Sequence, residues 1–461
     1  MIRIHSYLLI CISAVITGIA QHPLNLGFLS WISLIPLFQV ITKENRYQRI
    51  LKYSLLWGLI YHLVVIFWLS TNIGTNSTIA FISMLAAILV LCTNTIIICS
   101  VWFFIKDNFK YNLILFSIIW VSVEYLRSYG LLGFPWVSLA NTQIDHLYLI
   151  QNAQFVGIYG ISFWVLLINV FLFNIRNYHY KDKELYIFLF FLILPWISGY
   201  KLFEKYNHEK SDDGLSALVI QPNINLYNKR DFTSKEQTLN KIINMTQDNL
   251  SDDIKLIIWP ESAMPFHRMQ NKKDRNYLKN HLFKTDQRYL LSGNIFYEEG
   301  DIYNSSVLIS NQGIESVYHK RQLVPIAEHV PLSENFDYLK NINIGQTNFS
   351  KGKRDHIFNV DGYRFAALIC FESTFPEINR RHANKNIDAL VYLVNDGWYT
   401  TLPEPGQHAK QAVFRAIENR LPVIRCTNTG ISMLINPSGK IENTIGLNKI
   451  GTMKVKINKN R

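Results

Sequence analysis

Three residues whose side chains can act together in catalysis each end a short apolar run in the second half of the sequence. Glu261 ends LIIWPE, Lys320 ends SVYHK and Cys370 ends AALIC. A thiol is mostly protonated near pH 7, so a cysteine nucleophile needs a neighbouring base or positive charge. A carboxylate can take the thiol proton, and a cation can stabilise the thiolate and the oxyanion of a tetrahedral intermediate. Glu261 as base, Lys320 as cation and Cys370 as nucleophile therefore form a complete acyl-transfer set.

Each of the three residues also has a simpler interpretation. A cysteine at the end of an apolar strand is more often a packed core residue, a glutamate after proline is usually a turn residue, and a lysine at a strand end is usually solvated. The catalytic interpretation depends on all three occurring together. It also requires a scaffold that brings three strand ends to one place.

The elements that would position these residues lie downstream of about residue 204. From Leu215 onward, short β-like runs recur, and helical patterns over Ser234–Leu250 and Gly406–Arg420 separate some of them. Strands with nearly continuous apolar residues are usually covered on both faces. The sequence therefore predicts a layered α/β or α+β domain over residues 204–461, with a linker at Tyr200–Asp213.

Residues 1–203 have a different pattern, in which long apolar runs follow one another. The runs are Tyr7–Ala20, Gly27–Ile41, Tyr53–Thr71, Thr78–Ile105, Tyr111–Leu126, Phe155–Asn174 and Leu185–Tyr200. Several approach the roughly 20 residues that a helix needs to cross a bilayer. We expect a transmembrane domain of about seven spans, the first two being the least regular. A secretory signal peptide is the alternative for the first run, because Arg3 precedes it and GIA follows its apolar core.

Loop charges predict the orientation of these spans. The basic residues are Arg3 before the first run, Lys43, Arg46, Arg49 and Lys52 after the second, Lys106 and Lys110 after the fourth, and Arg176, Lys181 and Lys183 after the sixth. The intervening loops QHPLNL and TNIGTNS carry none. Lysine and arginine near span ends stay on the cytoplasmic side. The N-terminus is therefore expected inside and the second domain outside.

Composition limits the partners. The net charge of +12 suits an anionic lipid surface, whereas no compact basic stripe with interleaved aromatic residues suggests nucleic acid. The five cysteines are scattered and the histidines lack metal-like spacing. We expect a membrane protein that needs no metal or other cofactor.

Five sequence blocks resemble those of the nitrilase superfamily, also called the carbon-nitrogen hydrolases. The blocks are WPES, HKRQLVPIAEHVP, CFES, NDGWY and RAIENRLPVIRCTNTGIS, in the family's order. The resemblance implies a four-layer αββα sandwich. It also implies Glu261 as catalytic base, Lys320 as oxyanion stabiliser and Cys370 as nucleophile.

The segment Trp120–Gln143, WVSVEYLRSYGLLGFPWVSLANTQ, resembles a signature of the apolipoprotein N-acyltransferase family. This implies a bacterial inner-membrane enzyme with its catalytic domain on the periplasmic side. A phospholipid would donate an acyl chain to the cysteine, and the α-amine of a lipoprotein's diacylglyceryl-cysteine would accept it. A membrane-tethered amidase, in which water attacks the thioester, is the enzymatic alternative. A transporter or scaffold is the non-enzymatic one, although no internal repeat supports it.

The same resemblance implies supporting roles for Glu328 and Glu372, as acidic residues near the triad, and for Trp398, as an aromatic residue on a loop near the site. A structural carboxylate or a packed ring is the alternative for each. The sequence departs from the family pattern at Phe371, where a tyrosine is frequent, and at its end, where an eighth span is expected but not found.

Glu124 and Arg127 lie three residues apart at the end of the fifth run, and so on one helical face. Charged residues in a span are usually paired or face the protein interior. We expect this pair to hold the loop that contains GFPW, with binding of a lipid headgroup as the alternative.

Overall fold

The computed structural model describes residues 2–109, 111–177, 182–207, 213–224, 232–263, 270–283, 288–330, 348–399 and 402–460. The chain divides into two compact units, Met1–Lys205 and Tyr206–Arg461. Two of the basic loop residues, Lys110 and Lys181, lie outside the described residues, as does part of the predicted linker.

The first unit is helical. Its helices are α1 (Ile2–Ala20), α2 (Ile35–Ile41), α3 (Tyr47–Ile66), α4 (Ser77–Ile105), α5 (Asn112–Arg127), α6 (Leu147–Ile150), α7 (Ala153–Asn177) and α8 (Asp182–Tyr206). Four described segments are long and apolar enough to cross a membrane, namely Tyr47–Thr71, Ser77–Asn108, Ala153–Ile175 and Leu185–Tyr206. The prediction of an N-terminal helical region with several candidate spans is confirmed, and the count of seven is approximate.

The second predicted span is not one helix. A 3-10 helix over Gly27–Trp31 is followed by a turn and then by α2, which has only seven residues. Pro36 is the second residue of α2, where its missing N–H breaks no helical hydrogen bond. The predicted linker also begins later than expected, because α8 continues to Tyr206.

The loop after α5 is fastened by the two charged residues of that helix. Glu124 Oε1 accepts hydrogen bonds from the backbone N–H of Leu139, at 2.8 Å, and from Trp120 Nε1, at 3.0 Å. An Arg127 guanidinium nitrogen lies 3.4 Å from Ser138 Oγ. Each residue holds the segment that follows GFPW through its own contact, in agreement with the structural role predicted for the pair.

The second unit contains two six-stranded sheets. The strands are β1 (Leu215–Gln221), β2 (Leu256–Ile258), β3 (Tyr289–Glu298), β4 (Asp301–Ser310), β5 (Gly313–His319), β6 (Phe358–Val360), β7 (Tyr363–Ile369), β8 (Ala389–Val394), β9 (Val423–Thr427), β10 (Ser432–Ile435), β11 (Ile441–Ile445) and β12 (Gly451–Ile457). The first sheet has the order β12-β1-β2-β3-β4-β5 and the second β11-β10-β9-β8-β7-β6.

The two sheets pack face to face. Ser306 Oγ on β4 donates to the Ala367 carbonyl on β7 at 3.0 Å, and Cys426 Sγ on β9 lies 3.4 Å from the carbonyl oxygens of Ile220 and Ile258. Every residue of β8 is buried because that strand is covered on both faces, as the continuous apolar run ALVYLV predicts.

Helices cover the outer faces of both sheets. Among the described residues of this unit, these helices are α9 (Phe232–Asn249), α10 (Lys272–Leu282), α11 (Pro376–Ala383) and α12 (Glu404–Asn419). Ile242 and Leu278, from α9 and α10, share a core with Leu290 of β3. On the other side, Tyr392 of β8 donates to Asn379 of α11 at 2.6 Å. The layers therefore run helix, sheet, sheet, helix, and the predicted αββα class is confirmed.

Candidate active site

The three predicted catalytic residues leave strands of both sheets. Lys320 follows β5 directly and Cys370 follows β7 directly, whereas Glu261 stands three residues after β2. The strands β2 and β5 belong to the first sheet and β7 to the second. Because the sheets face each other, these strand ends can supply side chains to one volume.

The side chains of the three residues do converge. The Cys370 thiol and the Glu261 carboxylate are close enough to interact electrostatically, and Lys320 Nζ lies 3.9 Å from Glu261 Oε1. Lys320 is 1% exposed and Glu261 5% exposed, so water screens their charges poorly. The structure thus brings an acid, a cation and a thiol, from distant parts of the sequence, within reach of one another.

Glu328 completes the charge balance around the lysine. Its Oε1 accepts from Lys320 Nζ at 2.8 Å, and its Oε2 accepts from the backbone N–H of Val324 at 2.8 Å. The buried ammonium therefore has two carboxylate neighbours, one close and one at 3.9 Å. A buried cation with such partners stays charged and fixed in position.

Asn304 is a site residue that the sequence reasoning missed. Its Nδ2 donates to Glu261 Oε1 at 2.8 Å and to Glu328 Oε1 at 3.0 Å, so one amide fixes both carboxylates. The residue lies within β4, in the run NSSVLIS, and is almost fully buried. The only sequence signal for Asn304 was its place among the polar residues that begin this run, whose remaining residues are typical of a buried strand.

Burial and neighbouring charges set the protonation of the three groups. Burial raises the pKa of Glu261, and Glu328 adds to this, while Lys320 opposes it. Burial also raises the pKa of Cys370 well above its usual range, with a further contribution from Glu261. For Lys320, burial alone would lower the pKa, but Glu328 and Glu261 outweigh it and raise the pKa. The thiol is therefore protonated at rest, beside a carboxylate able to take its proton.

Glu372 ties the turn that carries Cys370 to the segment after Lys320. Its Oε2 accepts from the backbone N–H of Ile369 at 2.9 Å. Its Oε1 accepts from Tyr318 Oη at 2.7 Å and from the backbone N–H of Arg321 at 2.8 Å. The carboxylate is fully buried, and burial raises its pKa. Glu372 therefore fixes two of the strand ends relative to each other.

The backbone near the site adopts unusual conformations. Cys370, Ser262 and Ile326 have φ values of 48°, 54° and 71°, in the left-handed region that side chains disfavour. Close packing also requires Gly293 on β3, because a Cβ atom there would lie 2.5 Å from the Glu261 Cα. Contacts with neighbouring residues must hold these strained conformations. Backbone strain of this kind clusters at functional sites.

Two further residues from the sequence analysis lie close to these elements in the chain. Phe371 is buried and its ring packs edge-on against Phe375, with centroids 4.9 Å apart. Trp398 ends the 3-10 turn Asp396–Trp398 that follows β8, and it is half-buried. A role for Trp398 near the reacting groups remains a prediction.

One group of described side chains, Asp396, Glu404 and His408, carries atoms of the kinds that ligate metal ions. Protein donors already use both oxygens of the Asp396 carboxylate. Arg425 donates to Oδ2 at 2.9 Å, and His408 Nδ1 lies 2.8 Å from Oδ1. The group is therefore a buried ion-pair network in which a guanidinium supplies the positive charge.

Comparisons with known proteins agree with this organisation. The model of the family described as carbon-nitrogen hydrolase matches residues 217–461, and that of the apolipoprotein N-acyltransferase N-terminal domain matches residues 13–171. The chain is 27% identical to the apolipoprotein N-acyltransferase of Geobacter metallireducens, over 94% of this chain and 86% of that protein. It is also 27% identical to the apolipoprotein N-acyltransferase of Haemophilus influenzae, over 95% and 86%.

Among solved structures, the chain is similar to Nit3 of Saccharomyces cerevisiae, a member of branch 10 of the nitrilase superfamily. The two are 18% identical, the match covers 53% of this chain and 89% of Nit3, and the TM-score is 0.40. The carbon-nitrogen hydrolase match alone spans more than half of the chain. The chain therefore belongs to the carbon-nitrogen hydrolase family, and it carries an apolipoprotein N-acyltransferase N-terminal domain ahead of its hydrolase-like domain.

Proposed function

We propose that this protein is an apolipoprotein N-acyltransferase that uses Glu261, Lys320 and Cys370 as its catalytic residues. It would move a fatty acyl chain from a phospholipid, through a thioester on Cys370, to the N-terminal amine of diacylglyceryl-cysteine in a lipoprotein. One observation carries the assignment of residues. The Cys370 thiol lies beside a buried carboxylate, Glu261, whose neighbour at 3.9 Å is the buried Lys320.

In the first half of the reaction, Glu261 takes the proton of the Cys370 thiol as the sulfur attacks the ester carbonyl of the phospholipid. The carbonyl oxygen gains negative charge in the tetrahedral intermediate, and the Lys320 ammonium stabilises that charge. The C–O bond of the ester then breaks. Glu261 returns the proton to the leaving oxygen, so a lysophospholipid departs and the acyl chain remains on sulfur.

In the second half, the uncharged α-amine of the lipoprotein attacks the thioester carbonyl. Glu261 takes a proton from the amine nitrogen and returns it to the departing Cys370 sulfur as the C–S bond breaks. Lys320 stabilises the second oxyanion as it did the first. The amide is formed, the thiol is restored, and the carboxylate ends in the ionisation state in which it began.

The surrounding residues support these reaction steps by holding the three catalytic side chains in fixed positions. Asn304 and Glu328 fix the positions of Glu261 and Lys320, and Glu372 fixes the turn of Cys370. An isolated buried ammonium would lose its proton readily, and the close carboxylate of Glu328 prevents this. Such preorganisation makes electrostatic stabilisation effective in a poorly hydrated site.

We further propose a bacterial inner-membrane location, with residues 1–203 as the membrane domain and residues 204–461 as a periplasmic catalytic domain. The alternation of basic and uncharged loops in the first half supports this orientation. The several candidate spans also favour a lipid substrate, because a single helix would suffice as an anchor. We take Trp398 to lie at the rim of the substrate path.

The test uses the full chain in detergent micelles with a bacterial phospholipid extract and a synthetic diacylglyceryl-cysteine peptide. We expect N-acylated peptide and lysophospholipid in equal amounts, and neither from Cys370→Ala. The amidase alternative predicts instead that short primary amides release ammonia while the peptide stays unmodified. That second outcome, at any phospholipid concentration, would overturn the proposed function.

A further inference from the structure

A series of polar contacts connects the backbone of Cys370 with residues that follow it in the sequence. Ser373 Oγ lies 2.8 Å from the Cys370 carbonyl oxygen and 3.0 Å from His408 Nε2, and its proton can be donated to either acceptor. His408 Nε2 is itself 3.3 Å from the same carbonyl oxygen. On its other side, His408 Nδ1 lies 2.8 Å from Asp396 Oδ1. The imidazole therefore connects the turn that carries the nucleophile to the start of another turn.

The serine, histidine and aspartate resemble the triad of serine hydrolases in their contacts, but they are placed differently. All three side chains are at most 2% exposed, and the serine hydroxyl faces the backbone of Cys370. A substrate carbonyl has no access to such a hydroxyl. The array consequently acts on the position of Cys370 rather than as a second nucleophile.

The direction of the hydrogen bonds is fixed at the aspartate end. Burial alone would raise the pKa of Asp396, but Arg425 and His408 lower it to about 2. A carboxylate that stays ionised can only accept, so His408 Nδ1 carries a proton and donates it. Burial lowers the pKa of His408, so the ring is neutral and its Nε2 accepts from Ser373 Oγ in the nucleophile turn. The histidine is thereby held in one orientation, with a fixed edge toward the nucleophile turn.

This orientation matters because the nucleophile needs external support. Cys370 has φ 48°, and a non-glycine residue keeps such a conformation only when its surroundings impose it. Glu372 holds the N–H that precedes Cys370, at Ile369, whereas His408 holds Ser373, whose hydroxyl lies against the Cys370 carbonyl. The two sets of contacts lie on either side of the strained residue. Losing either set would allow the thiol to move away from Glu261.

The other end of the array meets the turn Asp396–Trp398. Asp396 begins this turn, and Gly430 passes so close to its carboxylate that an added Cβ atom would lie 2.0 Å from Oδ2. The carboxylate therefore has little freedom to turn away from His408. Through the imidazole, the backbone of Cys370 and the turn that carries Trp398 share one rigid connection.

We propose that His408 is a positioning residue for Cys370, which holds the strained nucleophile turn through its Nε2 edge and anchors it to Asp396 through its Nδ1 edge. The role rests on the proposed function, in which Cys370 forms a thioester. It acts through the geometry of the thiol and takes no part in proton transfer to the substrate.

Two substitutions test the contacts of the two imidazole nitrogens separately. The amide of His408→Gln can reach the place of Nε2 and retain contact with Ser373 and the Cys370 carbonyl. The amide of His408→Asn can reach only the place of Nδ1 and retain contact with Asp396. In the full chain supplied with bacterial phospholipid extract, we expect thioester formation on Cys370 to slow about 10- to 100-fold in His408→Asn. We expect His408→Gln to be about tenfold faster than His408→Asn.

Glu418→Gln is the matched control, because it removes a buried charge paired with Arg415 on the same helix, ten residues further along. It is expected to lower the melting temperature without changing the rate of thioester formation. Equal rates for His408→Asn, His408→Gln and the unsubstituted protein would overturn the role of His408. An unsubstituted protein that forms no thioester would contradict the proposed function instead, so the two failures are distinguishable.

Discussion

Buried polar groups differ in kind between the two units. In the helical unit they are mainly neutral: Ser13 Oγ donates to the Ser33 carbonyl, Gln143 donates to Ser30, and Asn169 Oδ1 accepts from the backbone of Leu34. In the second unit a much larger share of the described buried polar groups is ionisable, as at Glu261, Lys320, Glu328, Glu372 and Asp396. Neutral hydrogen bonds fix how helices pack at little electrostatic cost, whereas buried charges are expensive and are retained where chemistry requires them.

Glu124 is a useful comparison because it is a buried carboxylate in the helical unit. One of its hydrogen bonds, from the Leu139 N–H, holds a loop, and the other, from Trp120, lies within the same helix. Its buried counterparts in the second unit surround a thiol and an ammonium instead. The comparison predicts that changes in the two units affect different measurements, stability in the first and reaction rate in the second.

The largest effect on rate is expected from Glu261→Gln. The amide keeps the shape of the side chain and can accept from Asn304, but it cannot take the thiol proton. Thioester formation should slow by about 10²- to 10⁴-fold, the usual contribution of a general base. Quenched-flow measurement of lysophospholipid release checks this, and the melting temperature should stay close to that of the unsubstituted protein. A rate within tenfold of normal would remove Glu261 from the mechanism.

A combined effect on rate and stability is expected from Lys320→Met. The neutral side chain cannot stabilise an oxyanion, so turnover should fall by about 10²- to 10³-fold. It also leaves Glu261 and Glu328 as neighbouring buried carboxylates without their cation, which should cost about 3–5 kcal/mol of unfolding free energy near neutral pH. Thermal unfolding at several pH values tests this, because protonating the carboxylates at lower pH should recover part of the loss.

A smaller effect concerns pH. Burial raises the pKa of Glu261, and the residue must be ionised to accept the thiol proton. The rate of thioester formation should therefore fall as pH is lowered through a midpoint above the usual glutamate value of about 4.3. The pH profile of the single-turnover rate measures this midpoint. An acid limb at or below the usual value would show that the base is another group or is well hydrated.

The smallest effect on rate is expected in the helical unit. Glu124→Ala removes the acceptor for the Leu139 N–H and for Trp120, so we expect a loss of about 1–3 kcal/mol in stability. Glu124→Gln keeps an acceptor oxygen and should lose less. Both variants should form the thioester at the normal rate once folded, as judged by thermal unfolding and mass spectrometry in parallel. A rate loss in Glu124→Gln without loss of stability would instead favour a part for its charge in binding the lipid headgroup.

The sequence patterns predicted a layered α/β or α+β domain and the three strand ends, because apolar runs followed by reactive residues are local signals, whereas the αββα arrangement was implied by the family resemblance. The predicted helix Gly406–Arg420 corresponds to α12, which is Glu404–Asn419. The predicted strand that ends in WPE is shorter than expected, since β2 ends at Ile258. Strands β6, β11 and β12 were not predicted. The pairing of β12 with β1 joins residues more than 200 positions apart, which no local pattern encodes.

The parts of the site that sequence reasoning missed are those that depend on contacts between distant elements. Asn304 has an ordinary position in a β-like run, and only the packing of β4 beside the site reveals its two carboxylate partners. His408 lacked metal-like spacing, and its connection to Cys370 appears only when α12 packs behind the nucleophile turn. The catalytic roles of Glu261, Lys320 and Cys370 remain predictions.

The most direct test of the central claim is incubation of the full chain with phospholipid extract alone, followed by intact mass measurement and peptide mapping. We expect a mass increase of one acyl chain, located on Cys370 and lost on adding hydroxylamine or the diacylglyceryl-cysteine peptide. No adduct in the unsubstituted protein, or an adduct that persists in Cys370→Ala, would contradict it.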